Sequence, residues 1–303
     1  MPRRQLENNA TQGDDAPFHP FPGSDLEPAS IRSDPPMAFL ETDVGRIHYD
    51  HYRSDRAATM VLIHGWGMSG EFWNSAVEAL AATGYGAIVI DHRGCGRSDR
   101  AFRDMSIDAI AADVAAIVGQ CSVDQVVLNG WSLGAAIAVA AASRLGAKVA
   151  GLVLTCGATP RYTQADDFPH GGKPEDVLAI AGAITADRPG FFRMLAQGAA
   201  AEGANPALTD WFERAFLASG PRASQTLMDL VTLDQRDILS SFAFPVLSIG
   251  GKKDGIADPA IAGFAANCAR NGKVLMFETG HSPHLEDPAR YNAAIIEFME
   301  SLA

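Results

Sequence analysis

Gly130-Trp131-Ser132-Leu133-Gly134 closes an apolar run, Val126-Val127-Leu128, and opens an alanine-rich stretch of helical period from Leu133 to about Leu145. A serine in a G-x-S-x-G turn between a strand and a helix is held with its hydroxyl presented for attack. Side chains at 130 or 134 would crowd the strand against the incoming helix. The helix N-terminus brings free N–H groups and partial positive charge to the place where an oxyanion would form. The chemistry suggested is acyl transfer through a covalent serine intermediate. A serine hydroxyl near neutral pH needs a base within hydrogen-bond reach and a third group orienting that base.

Two later loops offer such partners in the order acid, then histidine, each directly after an apolar run. Val246–Ile249 leads into Gly250-Gly251-Lys252-Lys253-Asp254-Gly255-Ile256-Ala257-Asp258-Pro259, and Val274–Phe277 leads into Glu278-Thr279-Gly280-His281-Ser282-Pro283-His284. Asp258 precedes Pro259 and the next helical pattern, so helix capping accounts for it; Asp254 has no such local role in the sequence and is the favoured acid. His281, directly after Gly280 at the strand exit, is favoured as base over His284. Two backbone N–H groups are needed for an oxyanion, and the residue after the serine, Leu133, supplies one. Trp66, in the turn His64-Gly65-Trp66-Gly67, supplies the other. The remaining histidines read as structural or surface residues: His19 and His170 in loops, His48 and His51 on opposite faces of a strand, His92 in a turn, and His64 as a holder of the oxyanion loop. No H-E-x-x-H or comparable ligand spacing occurs, so no metal is expected.

These residues need a scaffold, and the hydrophobic pattern supplies one. Thr59–Ile63, Ala87–Ile90, Val126–Leu128, Val149–Leu154 and Pro245–Ile249 are short apolar runs, as expected of strands buried on both faces. Helical periods separate them, from Glu71 to Ala82 and from Ile107 to Val118, the latter capped by Ser106. Phe39–Val44 and Arg46–Tyr52 read as a hairpin around Gly45, and Asp287-Pro288 marks the start of a C-terminal helix. The alternation predicts an α/β protein with a mostly parallel sheet covered on both faces. It is interrupted between 161 and 243, where helical patterns run over Glu175–Thr185, Pro189–Ala200, Thr209–Ala218 and Ser224–Leu233. The predicted organisation is a core of residues 37–160 and 244–303 and a helical lid of residues 161–243. Residues 1–36, rich in Pro, Asp, Asn, Gly and Ser, read as a flexible extension. Its aromatics, Phe18-His19-Pro20-Phe21-Pro22, are available to dock on the body of the chain or on a second subunit of a homo-oligomer.

The chain has 303 residues, 47% hydrophobic and 20% charged, with a formal net charge of −12. The acidic balance argues against a nucleic-acid partner. Four scattered cysteines, Cys95, Cys121, Cys156 and Cys268, form no C-x-x-C pair and read as reduced thiols. No apolar run is long enough to span a membrane, and the N-terminus lacks the apolar core of a secretory signal. A cytoplasmic protein is the expectation.

Taken together, His64-Gly65-Trp66-Gly67, Asp91-x-Arg93-Gly94-x-Gly96-Arg97-Ser98, Gly130-Trp131-Ser132-Leu133-Gly134, the Asp254 loop and Gly280-His281 resemble the α/β-hydrolase superfamily, from about Phe39 to the C-terminus. The resemblance implies an eight-stranded α/β-hydrolase fold and structural turn roles for Asp91 and Arg93. Within that superfamily the chain is similar to the pimeloyl-carrier-protein methyl ester esterases. That similarity rests on the HGWG and GWSLG pairing, on Thr159-Pro160-Arg161-Tyr162 to Phe168-Pro169, and on Leu233-Asp234-x-Arg236. A serine at 132 sets the chain apart from the dehalogenase and epoxide-hydrolase branches, which use a carboxylate nucleophile.

The expected function is a cofactor-free serine esterase or lactonase in which Ser132, His281 and Asp254 form the triad and Trp66 and Leu133 the oxyanion hole. Trp131, Phe191, Trp211 and Phe212 are candidates for substrate contact, beside further lid apolar residues Phe192, Met194 and Phe216. The partner is a small ester or lactone. The same site would also serve hydrolysis of a carbon–carbon bond in a ring-fission product, or perhydrolysis of the haloperoxidase type. A non-enzymatic ligand sensor is the remaining rival.

Overall fold

Uncharged runs such as Met60-Val61-Leu62-Ile63 and Ala87-Ile88-Val89-Ile90 bury every side chain, which only a strand sandwiched between two layers can do. The computed structural model, which describes residues 38–302, builds the sheet around them. The chain begins with a hairpin, β1 (Ala38–Thr42) and β2 (Gly45–Tyr52), followed by β3 (Ala58–Ile63), α1 (Asn74–Ala82) and β4 (Gly86–Ile90). Then come α2 (Ile107–Cys121), β5 (Gln125–Trp131), α3 (Leu133–Leu145) and β6 (Val149–Thr155). Five helices follow without a strand: α4 (Pro174–Ala186), α5 (Arg188–Ala199), α6 (Pro206–Ala218), α7 (Thr226–Asp229) and α8 (Arg236–Ser241). The chain returns to the sheet with β7 (Val246–Gly251), α9 (Ala260–Cys268), β8 (Gly272–Phe277), α10 (Pro283–Glu286) and α11 (Pro288–Glu300).

The eight strands lie in the order β1-β2-β4-β3-β5-β6-β7-β8. β1 pairs antiparallel with β2, and β2 with β4; β3 to β8 are parallel. α2 packs on α3, and α1 on α11. The mostly parallel, eight-stranded α/β sheet expected from the sequence is the one observed. Because β3 to β8 run the same way, the loops that follow β3, β5, β7 and β8 all emerge at one edge, where open α/β sheets place their ligands.

Local signals hold where a cap was legible. The Ser106 hydroxyl accepts from Ala109 N at 3.1 Å at the start of α2, and Asp287 caps α11 through Arg290 N. The helix expected over Ser224–Leu233 is instead a single turn, α7, preceded by a 3₁₀ turn at Ala223–Gln225. Asp229 there turns outward from its own helix to accept Ile107 N at 2.7 Å, capping α2 instead. α8, absent from the sequence expectation, begins where Asp234 accepts Arg236 N. The proposed extension of residues 1–36, with Phe18–Pro22, lies outside the described residues. Among the described residues no helix is long and apolar enough to cross a membrane.

Candidate active site

The elbow is built by steric exclusion. A Cβ on Gly130 would overlap the backbone of Gly134 and Ala135, and a Cβ on Gly134 would overlap the carbonyls of Ile63 and His64. α3 therefore crosses β5 and β3 at a distance only glycine allows. Gly134→Ala is expected to lower stability by about 3 kcal/mol or to prevent folding. A thermal melt unchanged from wild type would show that the elbow has slack. Between the two glycines, Ser132 is held at φ 56° and ψ −120°, a region that L side chains rarely occupy. Its backbone is tied on both sides: Ser132 N donates to Thr155 O at 2.9 Å, and Ser132 O accepts from Ala135 N and Ala158 N.

The loop after β3 lies against the serine, since a Cβ on Gly65 would stand 3.3 Å from Ser132 Cβ. Among the described residues, neither Trp66 N nor Leu133 N reaches an acceptor, which leaves both donors available beside Ser132. His64 does hold this loop: its Nδ1 bonds Gly65 O at 2.7 Å, and its Nε2 accepts from His92 N. Asp91 holds the other end, accepting Gly70 N and Arg97 N and pairing with His48 Nδ1 at 3.0 Å. Burial alone would push the Asp91 carboxyl up and the His48 imidazole down. Hydrogen bonds to Asp50 and Asp91 win on His48, and the His48 pairing, with His64 and the backbone donors, wins on Asp91, holding Asp91 at about 2 and His48 at about 9.

His281 and Asp254 meet as the sequence suggested: His281 Nδ1 donates to Asp254 Oδ2 at 2.8 Å, with side chains 5% and 2% exposed. Asp254 also has the local role the sequence did not reveal, because Oδ1 accepts Ile256 N at 2.8 Å and Ala257 N at 2.9 Å. One oxygen shapes the loop and the other faces the imidazole. Asp258 caps Ala260 N with one oxygen and accepts Gly171 N with the other, so both its oxygens are engaged away from His281. His284 packs between Trp73 and Trp131 with both nitrogens unpartnered. Burial first, and then the nearby His281, pushes its pKa down to about 3.

Ser132 and His281 line one cavity of about 70 Å³, together with Gly65, Trp66 and Leu133. Its remaining wall is apolar, built from Trp131, Val177, Ile180, Phe191, Leu195 and neighbours, and contains no Asp, Glu, Lys or Arg. The Tyr162 hydroxyl is spent on Ile256 O at 2.9 Å, and the indole N–H groups of Trp66 and Trp131 on Ala223 O and His281 O. Of the four residues expected to touch substrate, Trp131 and Phe191 are on this wall. Trp211 and Phe212 are not. Trp211 stacks on Phe72 and donates to Glu71 at an outer groove. Phe212 is fully buried against Phe72 and Trp131, because α6 turns that face to the core.

Three supports had no isolated sequence signal. Trp131 Nε1 donates to His281 O at 2.7 Å, linking elbow and base loop. Beneath the elbow, Asn129, Thr155 and Tyr291 form a fully buried hydrogen-bond cluster joining β5, β6 and α11. Glu286 accepts the amides on both sides of His281. The fold also brings two thiols beside titratable side chains: Cys95 with His64 and His92, and Cys156 with Asp254 and His281, are two sets whose donor atoms lie within 4.8 Å of one another. Burial pushes the Cys95 thiol up to about 12, and both nitrogens of His64 are already engaged.

The family model for the alpha/beta hydrolase fold matches residues 58–288. The AB hydrolase superfamily protein YisY of Bacillus subtilis is 28% identical over 245 residues, covering 80% of this chain and 91% of that protein. The pimeloyl-[acyl-carrier protein] methyl ester esterase of Sodalis glossinidius is 28% identical over 250 residues, 80% of this chain and 93% of its own. Among solved structures, the esterase EaEST from Exiguobacterium antarcticum superposes with a TM-score of 0.82 at 24% identity, over 87% of this chain and 99% of that one; that likeness speaks to the fold.

Proposed function

The chain belongs to the alpha/beta hydrolase fold family, and on that premise we propose that it is a cofactor-free serine hydrolase of uncharged carboxylic esters or lactones. The observation that carries the reading is the His281–Asp254 pair at 2.8 Å beside a cavity that His281 shares with a conformationally strained Ser132. Ser132 Oγ attacks the carbonyl carbon while His281 Nε2 takes its proton. Asp254 holds Nδ1–H and stabilises the imidazolium that results. The N–H groups of Trp66 and Leu133 receive the oxyanion, a contribution of about 3 kcal/mol per donor in comparable sites. His281 then returns its proton to the departing alkoxide and activates the water that hydrolyses the acyl-enzyme.

The segment of residues 161–243 acts as a lid, since α4 and α5 supply Val177, Ile180, Phe191 and Leu195 to the wall. A cavity of about 70 Å³ has room for roughly five water-sized groups, which suits an acyl chain of about four to six carbons. A second carboxylate on the acyl group would be buried without a partner. The carbon–carbon alternative, a dienoate ring-fission product, suffers the same penalty.

Aryl esters and lactones of increasing acyl length test this. kcat/KM should peak near butanoyl to hexanoyl and fall at least tenfold by dodecanoyl. The adipate monoester should be at least tenfold poorer than the hexanoate. A preference for the charged monoester or for the dienoate would refute the assignment.

A further inference from the structure

We infer that Glu286 is a positioning residue: its carboxylate fixes the loop that carries His281 and joins that loop to the substrate-lining end of α5. The inference rests on the serine-hydrolase reading of the site. The carboxylate is fully committed to backbone. Oε2 accepts Gly280 N and Ala201 N, both at 2.9 Å, and Oε1 accepts Ser282 N at 3.1 Å. Two of those amides flank His281 directly. The third belongs to the chain leaving α5, two residues after Ala199, which lines the cavity. His281 N donates back to Ala199 O at 3.0 Å, closing the connection from the other side. The contact is tight: a Cβ on Gly280 would stand 2.5 Å from Ala201 N.

A carboxylate accepting three backbone donors is worth more than a neutral acceptor in the same place, because each bond is charge-assisted. Glutamine fits the space but offers one acceptor oxygen. At either orientation its NH₂ confronts at least one amide N–H, so the loop loses a bond and gains a donor–donor conflict.

The test compares wild type, Glu286→Gln, Glu286→Asp and Ser132→Ala as full-length proteins on a short-chain aryl ester. Active-site titration corrects for any unfolded fraction. Glu286→Gln should lose roughly ten- to a hundredfold in kcat with KM within threefold. Glu286→Asp keeps the charge but not the reach to the three amides, so its kcat falls too. Activity surviving in Ser132→Ala would overturn the reading of the site itself. An inert Ser132→Ala beside a Glu286→Gln enzyme of normal kcat, or one whose loss is wholly its unfolded fraction, or one whose loss lies in KM instead of kcat, would overturn the role of Glu286.

Discussion

Ser132→Ala is expected to reduce kcat on a short-chain aryl ester by about 10⁵-fold or more, and to abolish labelling by a fluorophosphonate. What remains would come from the N–H groups of Trp66 and Leu133 and from binding, which do not depend on the hydroxyl. Stability should not follow activity. Ser132 sits at φ 56°, a conformation that costs a non-glycine residue about 1–3 kcal/mol. Alanine keeps that strain, so Ser132→Ala should melt close to wild type. Ser132→Gly relieves it, against an entropic cost of roughly 0.5–1 kcal/mol, and should melt at or above wild type while equally inert. Catalysis and melting measured on both variants separate the two effects. Retention of more than about one per cent of kcat in either would remove Ser132 from the role of nucleophile.

The elbow was legible because everything that makes it is local. Two glycines, one serine, an apolar run before and an alanine-rich helix after lie within some twenty residues of sequence, and the close approach they permit needs no distant partner to be inferred. The pairing of Asp254 with His281 was legible for a related reason: each lies just past a strand whose direction the apolar pattern sets. What sequence hid was direction in space. Trp211 and Phe212 are adjacent aromatics on one amphipathic helix, and nothing in their spacing says that one faces an outer groove and the other the core. Glu286 looks like an ordinary helix-end carboxylate. Its partners at 280 and 282 are local, but Ala201 becomes a neighbour only when the chain between β6 and β7 folds back over the sheet edge. Asp229 capped a helix more than a hundred residues away, and its own helical pattern ended there. Short-range physics was readable; the choice between two exposed-looking faces was made by tertiary contacts.

Asp254→Asn is expected to cost about 10⁴-fold in kcat while leaving the fold intact, more than the loss of one charge explains. The reason lies in what the other carboxylate oxygen does. Oδ1 accepts two backbone donors, Ile256 N and Ala257 N. An asparagine that turned its NH₂ toward them would forfeit both bonds, about 1 kcal/mol each and more for the conflict created. Its carbonyl oxygen must therefore stay at the Oδ1 place, which forces the NH₂ to face His281 Nδ1. An NH₂ there donates, so Nδ1 accepts, and the imidazole proton moves to Nε2. That nitrogen then cannot take the serine proton. Asp254→Ala makes the contrast. It leaves Nδ1 free to keep its proton but strips both caps from the loop, so it should melt lower than Asp254→Asn and be no less active. Asp258→Asn, whose carboxylate serves Ala260 N and Gly171 N, should change kcat by less than about threefold. If Asp254→Asn stays within tenfold of wild type, or if Asp258→Asn is the variant that dies, the acid has been misassigned.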